Sequence, residues 1–140
     1  MKLILIVEDK QEELEKAKSI MSTRFPEYRV LVASDLESFK RLFEAMKNNL
    51  FGVITDLHFP ANEGLKEQTQ NNPNGLAVMA TCVNNNVRVS ICSDVNHHYS
   101  QYLDEPIKVL ETHTNYTYKK IPFNQDRKDW SKAITDLLNL

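Results

Sequence analysis

The sequence predicts an α/β domain, a doubly wound five-stranded parallel sheet with helices on both faces, and three observations carry that prediction. Short β-rich apolar runs alternate with segments whose apolar residues recur at helical spacing. Two of those runs stop at carboxylates: Leu3-Ile4-Leu5-Ile6-Val7 ends at Glu8-Asp9, and Gly52-Val53-Ile54-Thr55 ends at Asp56. The 140 residues suffice for one domain with a core that needs neither disulfides nor structural metal.

The elements follow in order. Residues 3–7 read as a buried strand. Over residues 10–22, Leu14, Ala17, Ile20 and Met21 recur at helical spacing, and Pro26 closes that unit. Residues 28–33 form the second strand. Ser34-Asp35-Leu36-Glu37 has the form of a capping box, a hydroxyl followed three residues later by glutamate. The helix it opens carries Leu36, Phe39, Leu42, Phe43 and Met46 on one face. Residues 50–55 are the third strand. Residues 61–74 are poor in apolar side chains and rich in Asn, Gln, Glu and Lys. The next helix opens at Gly64 or Gly75. Gly75 is preferred, because Leu76, Val78, Met79 and Val83 follow it as a helix face. Residues 87–92 are the fourth strand and 116–121 the fifth. In the extended segment 94–115 between them, Pro106 is expected to break or begin a helix. A last helix from about residue 126 places Trp130, Ala133, Ile134, Leu137 and Leu138 on one face.

In open α/β sheets ligands bind at the C-terminal ends of the strands, where strand order reverses. If the first and third strands are neighbours, Glu8, Asp9 and Asp56 converge on one spot. Three carboxylates so close repel one another, and an all-oxygen site of this kind suits a hard divalent ion, Mg²⁺ foremost. The formal net charge of -2 gives no strong pull toward nucleic acid or membrane. The apolar run at the N-terminus is too short for a signal peptide or a membrane span, so a cytoplasmic protein without membrane insertion is expected. Cys82 and Cys92 lack CxxC spacing and read as buried free thiols. His97-His98, with His113 at a distance, form no recognisable metal spacing and read as surface residues. Metal-dependent phosphatases and nucleases built on strand-end carboxylates want an Asp-x-Asp motif, whereas this chain has Asp56-Leu57-His58.

Taken together, LILIVEDK at residues 3–10, VITDLHFP at 53–60, NGLAVM at 74–79, VRVSICS at 87–93 and YKKIPF at 118–123 resemble the receiver domains of two-component signalling. The resemblance spans nearly the whole chain. It implies a flavodoxin-like strand order 2-1-3-4-5 in a single, stand-alone receiver-like domain over 1–140, with an insertion of roughly ten residues at about 61–74. It also implies a function: Mg²⁺-dependent transfer of a phosphoryl group from a histidine kinase or phosphotransfer protein onto Asp56. Glu8, Asp9, Asp56 and the His58 backbone carbonyl would hold the ion, and the His58 side chain would face the phosphoryl group. The hydroxyl switch residue would be Ser93, with Ser90 as its competitor. Asp94 follows, where the family usually has a small residue.

The phosphoryl-contacting lysine is Lys119 or Lys120. Counting from Tyr116, the aromatic switch position, favours Lys119, whereas counting back from Pro122-Phe123 favours Lys120, which is preferred by a small margin. Tyr116 and Tyr118 share a face, and either is a candidate for the ring that turns inward. Such a domain phosphorylates and dephosphorylates itself but is not an enzyme in the ordinary sense. It would bind a downstream protein target through the face around the fourth helix and fifth strand, and homodimerisation stays open. The alternative is a pseudo-receiver, never phosphorylated, acting as a constitutive protein-interaction module.

Overall fold

The computed structural model describes residues 2–94, 97–124 and 127–140, the side chains of 97–102 excepted. The chain runs β1 (Lys2–Val7), α1 (Gln11–Arg24), β2 (Tyr28–Ala33), α2 (Leu36–Met46) and β3 (Leu50–Thr55). A 3-10 turn (Glu63–Leu65) and one helical turn, α3 (Lys66–Thr69), follow. The rest is α4 (Gly75–Asn84), β4 (Arg88–Cys92), α5 (His97–Glu111), β5 (Phe123–Asn124) and α6 (Trp130–Leu138). The five strands make one sheet of order β2-β1-β3-β4-β5, every pair parallel.

Alternation along the strands divides the core into two layers. Leu5, Val7, Val53, Val89 and Ile91 face the side covered by Phe39 and Phe43 of α2 and by Val78, Met79 and Val83 of α4. Ile4, Ile6, Ile54 and Cys92 face the other side, against Leu14, Ala17 and Met21 of α1 and Trp130, Ala133 and Leu137 of α6. Burial on both faces is why β1 reads as a continuous apolar run rather than an alternating one. Both cysteines are buried free thiols, and burial pushes each thiol above its ordinary value.

The structure corrects several local expectations. The capping box of α2 sits one residue later than expected. The Asp35 carboxylate accepts the Ser38 N–H at 2.7 Å, while the Ser38 hydroxyl oxygen accepts the Asp35 N–H at 3.3 Å. A short aspartate reaches the third helical N–H, which a glutamate placed there by pattern does not require. Helix α5 passes through Pro106 rather than stopping at it, forgoing one backbone hydrogen bond. The final helix begins at Trp130, capped by Asp129 through the Lys132 N–H at 3.0 Å, and residue 126 lies outside the described residues.

The largest correction concerns the fifth strand. Residues 116–121 are a connection, and β5 is only Phe123–Asn124, with the Ile91 N–H donating to the Pro122 carbonyl at 2.8 Å and the Ser93 N–H to the Asn124 carbonyl at 2.9 Å. Lys119 stands at φ 60°, a left-handed conformation that no strand accommodates. The connection is tied down nonetheless. Its Thr117 N–H donates to the Asn86 side chain at 2.8 Å, its Ile121 N–H to Glu111 at 2.8 Å, and the Tyr116 hydroxyl to the Lys120 carbonyl at 3.2 Å.

Candidate functional site

The site is built where β1 and β3 end side by side. The Asp56 N–H donates to the Val7 carbonyl at 2.9 Å, and the Glu8 N–H to the Ala33 carbonyl at 3.0 Å. These bonds carry the parallel ladders one residue beyond the strands and bring Glu8, Asp9 and Asp56 to the same edge. Carboxylate oxygens of the three lie within 4.8 Å of one another. Glu8 is fully buried, and its Oε1 accepts the Lys10 N–H at 3.0 Å. Asp56 is buried, with Oδ1 accepting the Leu57 N–H at 2.7 Å. Asp9 carries a buried Oδ1 with no hydrogen-bond partner among the described residues.

The cation at this cluster is Lys128. Its side chain, 5 % exposed, places Nζ 2.7 Å from Glu8 Oε2 and 3.0 Å from Asp56 Oδ2. Lys119 is exposed and donates to the His113 carbonyl at 3.0 Å, and Lys120 is exposed with its carbonyl taken by Tyr116. The structure therefore brings neither Lys119 nor Lys120 into the cluster. The missed signal lay in Asp129-Trp130, a helix-capping residue followed by a buried aromatic. It places Lys128 at a junction leading into a helix, on the edge where every strand of a parallel sheet ends.

Burial and charge set the protonation of the group. Desolvation, then the Asp56 charge, push the Glu8 carboxyl up to about 7, against the pull of Lys128. Burial raises Asp56 as well, opposed by Lys128, the Leu57 N–H and a hydrogen bond from Ser93. Burial works against the Lys128 charge, but the two carboxylates outweigh it and hold the ammonium above its ordinary value.

The other expected residues fall into place around this core. Ser93 is buried and hydrogen-bonded to Asp56. Ser90 is also buried but donates to the Ala133 carbonyl at 3.1 Å, a link to α6. His58 is half-buried; burial lowers its imidazole, opposed by the charges of Asp56 and Asp94. Tyr116 is fully buried and meets Tyr118 edge-on at 5.5 Å, in the connection rather than on a strand. The side chains of His97 and His98 lie outside the described residues. Among the described residues, the metal-capable cluster is Glu8, Asp9 and Asp56.

The segment after Asp56 is held from two directions. The Leu36 and Glu37 N–H groups, which open α2 without intrahelical partners, donate to the Pro60 and Ala61 carbonyls at 3.0 Å each. From the other side, the Gly75 N–H donates to the Leu57 carbonyl at 2.9 Å and the Asn74 amide to the Phe59 carbonyl at 2.6 Å. Gly75, not Gly64, opens the helix, and a Cβ there would lie 2.4 Å from the Asp56 carbonyl oxygen and 2.8 Å from Leu57 Cα. Both obstacles are backbone. Gly75→Ala is accordingly expected to cost about 1–3 kcal/mol in urea unfolding, the scale of overpacking, and to shift the amide resonances of residues 56–58.

The donor set fits a hard cation: three carboxylates, one with an orphaned buried oxygen, and the nearby backbone oxygens of a fixed loop. No helix among the described residues is long and apolar enough to cross a membrane.

No family model matches the sequence, and no curated protein matches it. Solved structures do. A response regulator receiver domain protein from Clostridium thermocellum superposes with a TM-score of 0.64 at 18% identity, covering 99% of this chain and 95% of that one. The non-phosphorylated HemR receiver domain from Leptospira biflexa gives 0.66 at 16% identity, over 100% and 96%. A chain of the CheX-CheY-BeF3-Mg complex from Borrelia burgdorferi gives 0.67 at 16% identity, over 99% and 87%. The chain thus has the receiver-domain fold across its whole length, with the flavodoxin-like strand order 2-1-3-4-5.

Proposed function

We propose that this domain is a phosphoacceptor switch that takes a phosphoryl group from a phosphohistidine donor onto Asp56. The observation that carries the reading is the cluster itself: a buried strand-end aspartate flanked by two further carboxylates, one lysine ammonium and one hydroxyl. The fold shared with receiver domains supports it.

In the transfer, a carboxylate oxygen of Asp56 attacks phosphorus, the phosphorus–nitrogen bond of the donor breaks, and its electron pair stays on the imidazole nitrogen. The acyl phosphate remains until water cleaves it. Asp9, Asp56, Glu8 and the His58 carbonyl would hold Mg²⁺, which supplies charge neutralisation on the phosphoryl oxygens. Lys128 moves its ammonium from the Asp56 carboxylate to a phosphoryl oxygen without leaving the edge of the sheet. Ser93 donates its hydroxyl to another and so draws the start of the 94–115 segment toward the site. The fixed 57–61 segment keeps the acceptor from recoiling. The switch then changes the face around α5 and β5 that a protein target reads.

One observation favours the rival reading of a constitutive interaction module: Lys128 already neutralises the two buried carboxylates. The readings separate with beryllofluoride, a stand-in for the phosphoryl group. With Mg²⁺ it is expected to shift backbone amide resonances at residues 56–58, 93–94 and 103–111. Saturating beryllofluoride and Mg²⁺ with an unchanged spectrum would leave the constitutive module.

A further inference from the structure

Lys128 reaches the carboxylates from the segment leading into α6, not from a strand, so no ladder of backbone hydrogen bonds aims it. A lysine side chain is flexible, and holding its ammonium between two buried acids requires that its backbone be fixed close by. The residues that follow it supply such an anchor. The Asp129 N–H donates to the Arg127 carbonyl at 2.8 Å, and the Asp129 carboxylate caps α6. Trp130 opens α6, is 2 % exposed, and packs in the layer of Ile4, Ile6 and Leu14.

Its indole N–H donates to Glu13 Oε2 at 2.8 Å, and the other oxygen of Glu13 accepts from Lys16 at 3.2 Å. Both oxygens of the acceptor are thereby occupied and its side chain is fixed. Glu13 stands in the first turn of α1, the helix whose start Glu8 fastens through the Lys10 N–H. Two carboxylates of the β1–α1 unit thus receive two donors from the start of α6: Lys128 on Glu8 and Trp130 on Glu13.

We infer that Glu13 and Trp130 are positioning residues for Lys128, forming the second point of a two-point clamp that aims its ammonium at Glu8 and Asp56. Neither touches Asp56 or a phosphoryl group; they act through the lysine. The placement stands on geometry alone, while its consequence for phosphoryl transfer rests on the function proposed above.

The test reads the lysine directly, by the lysine ammonium ¹⁵N resonances of the metal-free protein at low temperature. Lys128, buried and bonded to two carboxylates, is expected to give a slowly exchanging signal, assigned by its loss in Lys128→Met. Glu13→Ala and Trp130→Phe are expected to lose that signal while the amide spectrum of the sheet stays folded. Glu13→Gln, which keeps an oxygen to accept the indole N–H, is expected to retain it. Glu13 lies near the surface, so its variants remain informative should Trp130→Phe fail to fold.

A Lys128 signal unchanged in Glu13→Ala would overturn the inference, and so would a wild-type protein with no protected lysine signal. The experiment uses neither metal nor phosphoryl analogue. A wild-type protein that shows the clamp yet ignores beryllofluoride would remove the proposed function and leave the clamp standing.

Discussion

Lys128→Met is expected to destabilise the metal-free protein by about 3 kcal/mol near pH 8, the scale of removing one partner from a buried ion pair. The lysine contributes the positive charge between Glu8 and Asp56, both buried, and methionine keeps the apolar stem without it. Left alone, the carboxylates lower the cost by taking up a proton, so the deficit is expected to shrink as the pH falls below about 6. Millimolar Mg²⁺ should recover part of it, because the cation replaces the lost ammonium. Urea unfolding of both proteins at two pH values, with and without Mg²⁺, checks each part. A variant as stable as the wild type near pH 8 without metal would mean that the ion pair contributes nothing to the folded state.

The second large effect couples metal to pH. Glu8 is held protonated in the folded protein up to about 7, whereas in the unfolded chain it ionises near 4.5. Between those values the folded state binds more protons, so metal-free stability is expected to fall as pH rises through the window, by on the order of 1–3 kcal/mol. Asp56, also raised by burial, acts in the same direction. Mg²⁺ must displace those protons to bind, so its stabilisation grows with pH. Thermal melts with millimolar Mg²⁺ should show a small rise in Tm near pH 5 and a rise of several degrees near pH 8. A rise independent of pH would place the ion somewhere other than these carboxylates.

How much of this was legible in the sequence depended on whether a feature left a periodic trace. The apolar runs ending at Glu8-Asp9 and at Asp56 mark buried parallel strands, and their shared edge follows from the strand order. Gly75 was legible because an apolar helix face starts immediately after it. The fifth strand was not, since two residues carry no alternation, and Tyr116-x-Tyr118 imitated a strand in what is a connection broken by the left-handed Lys119. That error hid Lys128. The Lys119-Lys120 pair before Pro122-Phe123 matched the expected spacing, while the lysine in the cluster follows the strand and shows no pattern. Lysines are common on surfaces, and only the packing of Trp130 against α1 separates this one from the rest. Residues 61–74 read as irregular because one 3-10 turn and one helical turn are too short to show a periodic face.

The most direct test of the account is the intact mass of the protein after incubation with Mg²⁺ and acetyl phosphate, beside an Asp56→Ala control. The account predicts a gain of about 80 Da, one phosphoryl group, that is absent from the control and lost from the wild type on standing in water. A gain that persists in Asp56→Ala, or no gain when the same protein binds beryllofluoride with Mg²⁺, would contradict the assignment of Asp56 as the acceptor.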